Sequence, residues 1–418
     1  MTLRLFSTLG GETREFKPIV PGEARIYVCG VTPYFVTHLG HAFSYVQFDT
    51  LRRYLSFSGY KVRYVQNVTD IDDDMIRVSR EQGRPIPEIR DENDALFRKD
   101  LDRLNVLRPT VYPFATGHIE QIIETTARLI ELGHAYEAEG DVFFEATTFP
   151  RYGELKATSL DGLAKLENPE SKRAHKKRGH LDFLLWQTVD PGDPSWDSPW
   201  GPGRPGWSIE CTAMSMAHLG PQVDIHGGGS DLIYPHHTNE IAQAECASGS
   251  APFCGTWMHN GMLQSDGRKM AKSKPETLVY ARDLMERVDP DQLRLYLLSH
   301  RYREDTNYRD GDVEALGGRY GRLKAAIEQA PAPTADQAAS AAFRARMDDD
   351  LDTAGALDVL DAAANRVLAG VAEEGEQGSL TAGLRALGFA FAGARGPATG
   401  HLDPSVLEHP RIKEESWT

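Results

Sequence analysis

Between Arg25 and Val65 the chain spells out a strand, a helix and a second strand, and this order constrains the fold more than any other stretch. Arg25 to Cys29 is a short apolar run of the kind that makes a buried strand, followed by the turn residues Gly30 and Pro33. From His38 to Ser58, apolar Phe43, Val46, Leu51 and Leu55 recur near the helical period; Gly59 ends the segment and residues 61–65 are extended again. Such a unit opens a parallel sheet, and ligands of parallel sheets bind beyond the carboxyl ends of the strands.

Further along, helices are expected over 87–105 and 116–132, then short strands and polar loops over 141–187, a pattern that reads as an insertion. Val223 to Ile225 reads as another core strand running into Gly227, Gly228 and Gly229. From Asp312 the chain is Ala-rich and helical, with a linker over 330–334, one strong helical period over 342–371, and an unpatterned stretch over 396–418.

At 418 residues the chain is long enough for two or three domains. No run of about 18 apolar residues appears, so a membrane span is not expected. Met1 to Gly10 lacks the basic start and apolar core of a signal peptide, which points to the cytoplasm. Four scattered cysteines favour metal ligation or free thiols over a disulfide framework. The net charge of −15 excludes binding of nucleic acid through a globally basic surface. One local basic strip, Lys172, Arg173, His175, Lys176, Lys177 and Arg178, is either a solvated loop or a contact for phosphates.

His38-Leu-Gly-His41 stands where the first strand gives way to the helix. A helix start offers free N–H groups and a positive dipole end, both suited to phosphate. His38 and His41 can share one side and stabilise charge developing at an α-phosphorus, with Gly40 between them. In Lys269-Met-Ala-Lys272-Ser273, two ammonium groups can bracket a pyrophosphate. Either signature alone would be ordinary; together they converge on a nucleotide triphosphate. In His226-Gly-Gly-Gly-Ser-Asp231, Gly227, Gly228 and Gly229 admit close approach of a ligand, and Asp231 suits ribose hydroxyls.

His236 and Glu240 are four apart in a segment of helical potential, with Pro235 expected in its first turn, so both face one side. With Cys29 and Cys211 they form a donor set that suits zinc by softness and geometry. Cys246 and Cys254 have no such partners and read as inert buried thiols. His237 would point away from the ligand face, as a support or a substrate contact.

These residues resemble the class I aminoacyl-tRNA synthetases, and among them the cysteinyl-tRNA synthetases. The resemblance runs in order through Tyr27-Val-Cys-Gly30, His38-Leu-Gly-His41, Tyr64-Val-Gln-Asn-Val-Thr-Asp-Ile-Asp-Asp73, Pro205-Gly-Trp-Ser-Ile-Glu-Cys211, Asp224-Ile-His-Gly-Gly-Gly-Ser-Asp-Leu232, Pro235-His-His-Thr-Asn-Glu240 and Lys269-Met-Ala-Lys-Ser273. It also takes in Met347-Asp-Asp-Asp-Leu-Asp352. It implies an α/β fold: a Rossmann-like parallel-sheet catalytic domain (1–115 and 196–311) with an insertion (116–195), then a C-terminal α-helical bundle (312–395) and a short tail (396–418). It implies one zinc ion on Cys29, Cys211, His236 and Glu240, contacting the substrate thiolate. Trp207 would wall the amino-acid pocket, Thr32, Asn67 and Thr69 would lie near the adenylate, and Lys272 near the phosphates. L-cysteine, ATP with Mg²⁺ and tRNA-Cys are the implied partners of a cytoplasmic monomer.

Departures from the family pattern are Ala271 where serine is usual, Lys274-Pro275 for Leu-Gly, and Val31-Thr-Pro-Tyr-Phe35 before the first signature. The chain stops at Thr418, where such synthetases continue into an anticodon-reading domain, so a curtailed anticodon region is expected. Thr32-Pro-Tyr34 and Thr37-His-Leu-Gly-His41 also resemble the cysteine ligase of mycothiol biosynthesis, whose acceptor is a glucosaminyl-inositol amine. Against it, the chain has His226 and Glu240 where that family differs, lacks its Glu-Arg-Gly-Gly-Asp-Pro element, and carries a synthetase-like Tyr152-Gly-Glu-Leu155. A third reading is a non-catalytic paralogue that binds a partner or tRNA. The retained lysines, histidines and metal donors oppose it, since mere binding requires none of them.

Overall fold

The computed structural model describes residues 2–166, 171–270, 275–329 and 338–393. Ala271, Lys272, Ser273 and Lys274 of the lysine signature lie outside the described residues, as do the 330–334 linker, the 396–418 tail and the side chain of Lys172.

The strand–helix–strand unit is β1 (Glu23–Val31), α1 (Leu39–Phe57) and β2 (Lys61–Val68). Later in the chain come α2 (Trp207–Leu219), β3 (Val223–Gly229), α3 (Thr238–Ser248) and β4 (Cys254–Asn260). The four strands pair in parallel in the order β4–β3–β1–β2. Both faces of this sheet are covered, as parallel sheets require. On β1, Ile26 and Val28 enter the core that holds Phe43 and Phe48 of α1, while Tyr27 and Cys29 enter the core shared with α2. The two-residue period of a strand therefore decides that Cys29 meets α2. Register puts Tyr27 beside His226, and His226 beside Trp257.

β3 continues through its glycines instead of ending before them. A Cβ on Gly227 would lie 2.3 Å from the Phe48 ring, so the glycine lets α1 close on the sheet. A Cβ on Gly30 would lie 1.5 Å from the Asn67 carbonyl oxygen, so β1 and β2 can converge there only without a side chain. The helix carrying Glu240 starts at Thr238, later than Pro235 suggests, after an irregular turn over Ile233–His237. Tyr234 is extended there (φ −141°, ψ 133°), as the steric demand of a following proline favours.

The inserted region forms an antiparallel sheet of Ala135–Ala138, Asp141–Phe144, Phe183–Gln187 and Arg204–Pro205, in that order. Its last strand runs through Gly206 straight into α2, so this sheet positions Trp207. Tyr152 Oη donates to Asn239 Oδ1 at 2.6 Å, tying the insertion to α3.

The helical region holds Gly317–Glu328, Ala341–Met347, Thr353–Leu368 and Glu376–Ala386. The periodic stretch over 342–371 is divided between two of these helices. Asp350 and Leu351 sit at positive φ (55° and 53°) between them. The Asp350 carboxylate accepts from Tyr302 Oη and from the Phe6 backbone N–H, both at 2.7 Å, and from Arg303 at 2.6 Å. Three tertiary hydrogen bonds to a charged group outweigh the local preference for a continuous helix. Among the described residues, no helix is long and apolar enough to cross a membrane.

One buried cluster ties α1 to the helical region. Asp49 accepts from Arg53 and Arg294, and Arg294 also donates to the carbonyls of Leu104 (2.8 Å) and Leu387 (2.7 Å). Burial alone would raise the Asp49 pKa, but Arg53 and Arg294 hold it below the usual carboxylate range. Removing one partner strands a buried charge, so Arg294→Ala should lower unfolding stability by about 3–5 kcal/mol in a urea titration at neutral pH. Because the folded pKa of Asp49 is depressed, this contribution is present at neutral pH and lost as pH falls through that value. The deficit of the variant should therefore shrink in acid.

Candidate active site

A cavity of about 900 Å³ opens at the carboxyl ends of the strands. His38, Gly40 and His41 line one end of it. His38 is the N-cap of α1, its Nδ1 accepting from the His41 N–H at 3.3 Å, and the two rings stack with centroids 3.7 Å apart. A Cβ at Gly40 would press on the His38 ring at 3.0 Å, so glycine leaves room for this stack. Lys269 lines the cavity as well, its Nζ 3.3 Å from Asp231, which also lines it with Gly228 and Gly229.

Cys29, Cys211, His236 and Glu240 converge, all buried, and Cys29 and His236 also line the cavity. Cys29 comes from the end of β1, Cys211 from the second turn of α2, His236 from the irregular turn and Glu240 from the first turn of α3. Cys29 Sγ lies 3.8 Å from Cys211 Sγ, 3.5 Å from His236 Nε2 and 3.7 Å from Glu240 Oε1, and the last two atoms are 3.2 Å apart. A tetrahedral ion with metal–sulfur bonds of about 2.3 Å and shorter bonds to nitrogen and oxygen has edges of about 3.8 Å between sulfurs, about 3.6 Å from sulfur to the lighter donors, and about 3.3 Å between these. The observed edges match that figure, so these side chains can hold such a metal ion.

A second set, Cys29, His226, His237 and Glu240, also converges. Its histidines have other work. His226 Nε2 bonds Glu240 Oε2 at 2.9 Å, leaving Oε1 to the first set. His237 Nε2 lies 3.3 Å from Cys29 Sγ, and its Nδ1 bonds His259 Nε2 at 2.7 Å. Neither His226 nor His237 reaches the cavity wall, whereas Cys29 and His236 do. Two donors of the first set, Cys29 and His236, thus face the cavity, and the histidines behind the set are placed to orient its donors.

Protonation suits the same role. Burial pushes the Cys29 thiol up, reinforced by its hydrogen bond to Cys211. Burial would raise Cys211 too, but the hydrogen bond from Cys29 brings it below the usual thiol range. Burial lowers His236 and His237, and takes His259 down to about 3, so these imidazoles are neutral, the form that binds metal. Cys254 is pushed up by burial and donates to the Thr256 carbonyl, and burial takes Cys246 to about 11; neither thiol belongs to either set.

Thr32 and Trp207 line the cavity, the Trp207 ring centroid 4.3 Å from that of His236. Asn67, Thr69, His237 and Gly227 do not line it. Asn67 is buried, its Oδ1 accepting from the Gly30 N–H at 2.8 Å and its Nδ2 donating to Thr69 Oγ1 at 3.3 Å. This pair braces the turn behind Cys29. Sequence reasoning assigned no supporting role to His226 or His259. The available signal was a histidine inside a predicted or neighbouring core strand, two positions after Asp224 and Trp257 respectively. Lys272 lies outside the described residues.

Residues 15–316 match the family described as tRNA synthetases class I (C) catalytic domain. A cysteine–tRNA ligase of Trichlorobacter lovleyi is 46% identical over 378 residues, covering 86% of this chain and 77% of that protein. One of Escherichia coli O17:K52:H18 is 44% identical over 362 residues, covering 86% and 78%. In fold the chain is similar to Mycobacterium tuberculosis methionyl-tRNA synthetase in complex with methionyl-adenylate (TM-score 0.61, 17% identity, 88% of this chain and 90% of that one).

His226→Ala removes the hydrogen bond that orients Glu240 and should weaken metal binding roughly 10- to 100-fold, read by competition with a chromophoric chelator. Unchanged affinity would show that Glu240 is oriented without it.

Proposed function

The chain belongs to the class I cysteine–tRNA ligases, ATP-dependent enzymes, and from that premise we propose how its residues divide the work. The observation that carries this reading is the four-donor set, four of whose edges match tetrahedral spacing, with Cys29 and His236 lining the same cavity as the paired histidines of the α1 start. Cys29, Cys211, His236 and Glu240 would hold one zinc ion, which when bound supplies a soft Lewis acid that takes the thiolate of cysteine and refuses the hydroxyl of serine. Trp207 walls the bound amino acid, and Thr32 lies beside it.

The cysteine carboxylate attacks the α-phosphorus of ATP, which arrives as its Mg²⁺ complex, and pyrophosphate leaves. His38, His41 and the free N–H groups of the α1 start stabilise the charge gathering on the phosphate oxygens. Lys269 and Lys272 bracket the pyrophosphate, and Asp231, beside Lys269, meets the ribose. Gly40, Gly228 and Gly229 let the nucleotide lie against backbone. The 3′-terminal hydroxyl of tRNA-Cys then attacks the activated carbonyl, and AMP leaves. No side chain need act as a covalent nucleophile. The enzyme is read as a cytoplasmic monomer, as the family resemblance implies.

Lys272→Ala should lower cysteine-dependent exchange of labelled pyrophosphate into ATP roughly 10²- to 10³-fold with zinc content unchanged; a near-normal rate would mean that this lysine does not meet the phosphates. Cys211→Ser should lose zinc and the preference for cysteine over serine together, read by metal analysis and by exchange with each amino acid. Charging of tRNA-Cys tests the acceptor; coupling of cysteine to a glucosaminyl-inositol amine instead would overturn it.

A further inference from the structure

Among the described residues, the acidic side chains lining the cavity are Asp72, Asp73, Asp74, Asp190, Glu210 and Asp231. Asp73 is matched by Arg204, Asp74 by Arg77 and Asp231 by Lys269. Asp190 is exposed, so water serves it. Asp72 caps a helix, its Oδ1 accepting from the Met75 N–H at 2.7 Å. Glu210 has none of these remedies. It is only 1% exposed, and its Oε2 is buried without a hydrogen-bond partner.

Such an atom is rare in a folded chain, because a buried carboxyl oxygen with no donor loses its hydration and gains nothing in return. The surroundings make its position worse. Burial pushes the Glu210 carboxyl well up, Cys211, Asp72 and Asp70 add to the rise, and Arg204, which Asp73 already engages, opposes it. An unpartnered acid among acids, on the wall of a cavity, is a place for a cation that arrives with the substrate.

The position of Glu210 says which cation. It lies in the first turn of α2, three residues after Trp207 and directly before Cys211, so these side chains share one side of the helix. Trp207 and Glu210 line the same cavity as the metal donors Cys29 and His236. When the sulfur of cysteine reaches those donors, its ammonium stands on the carbon next to the one that bears sulfur. That group must therefore come to rest close to the donor set. The Mg²⁺ of ATP, by contrast, stays with the phosphates.

We propose that Glu210 is the anionic subsite for the α-ammonium group of cysteine, holding one end of the amino acid while the metal takes the thiolate. The inference rests on the cysteine reading above and deepens it. No covalent bond changes at Glu210; an ammonium N–H donates to Oε2. Two fixed points restrict where the substrate carboxylate can go, which is the positioning that attack on phosphorus needs.

The test is calorimetric binding of cysteine and of 3-mercaptopropionic acid, which is cysteine without its amino group. It uses the zinc-loaded full chain without ATP or Mg²⁺. Wild type should bind cysteine the more tightly. Glu210→Gln should weaken cysteine about tenfold to a hundredfold, leave 3-mercaptopropionic acid within about twofold, and keep the zinc content of wild type. Glu210→Asp, which keeps the charge but withdraws it by a methylene, should fall between, and it carries the same comparison should the glutamine variant not fold. Equal weakening of both ligands would overturn the subsite, since Glu210 would then serve the fold or the metal. So would unchanged binding of both, which would mean that water alone satisfies Oε2. A wild-type chain that binds neither ligand would instead remove the cysteine reading, and the subsite with it.

Discussion

Two thiols, a carboxylate and an imidazole are buried against one another at the carboxyl edge of the parallel sheet, and this is the constraint on which the architecture turns. Such a cluster is unfavourable to bury unless its charges find partners. The histidines around it, His226 on Glu240 and His237 against Cys29, satisfy part of that need and leave an inner ring of donors at the edge lengths of a tetrahedron. The four donors come from one strand end, two helix starts and a turn. Any shift of α2 or α3 against β1 would therefore break the spacing.

That explains several otherwise unconnected details. Gly30 and Asn67 let β1 and β2 converge just past Cys29. Gly227 lets Phe48 of α1 press onto the sheet from the opposite side. The inserted sheet holds α3 through Tyr152 and runs without a break into α2, so it anchors two of the elements that carry donors. The buried Asp49–Arg294 cluster fixes the far part of α1, whose first residues follow the His38 cap. The helix start that carries His38 and the sheet edge that carries Cys29 are parts of one rigid frame.

Much of this was legible in the chain. The unit over residues 25–65 showed as strand, helix and strand because each has its own period, and the His38 signature sits where that order places a helix start. The four donors could be named from chemistry and, for His236 and Glu240, from spacing along a turn. The places where reading along the chain fell short share a cause. The helical period over 342–371 is real, yet Asp350 leaves it because Tyr302, Arg303 and Phe6 offer its carboxylate partners from remote segments. Likewise Gly227 belongs to a strand, since what it accommodates is a ring on α1.

By itself the sequence determined the sheet type, the helix start suited to phosphate and the donor chemistry suited to a soft metal, because these follow from period, capping and side-chain type. Only the tertiary structure decided which histidines line the cavity and which stand behind its wall, and that Arg173 and Lys176 lean on Asp141 beside it. The physical reason is that orientation and pairing depend on groups far apart along the chain, whose distances no local pattern encodes.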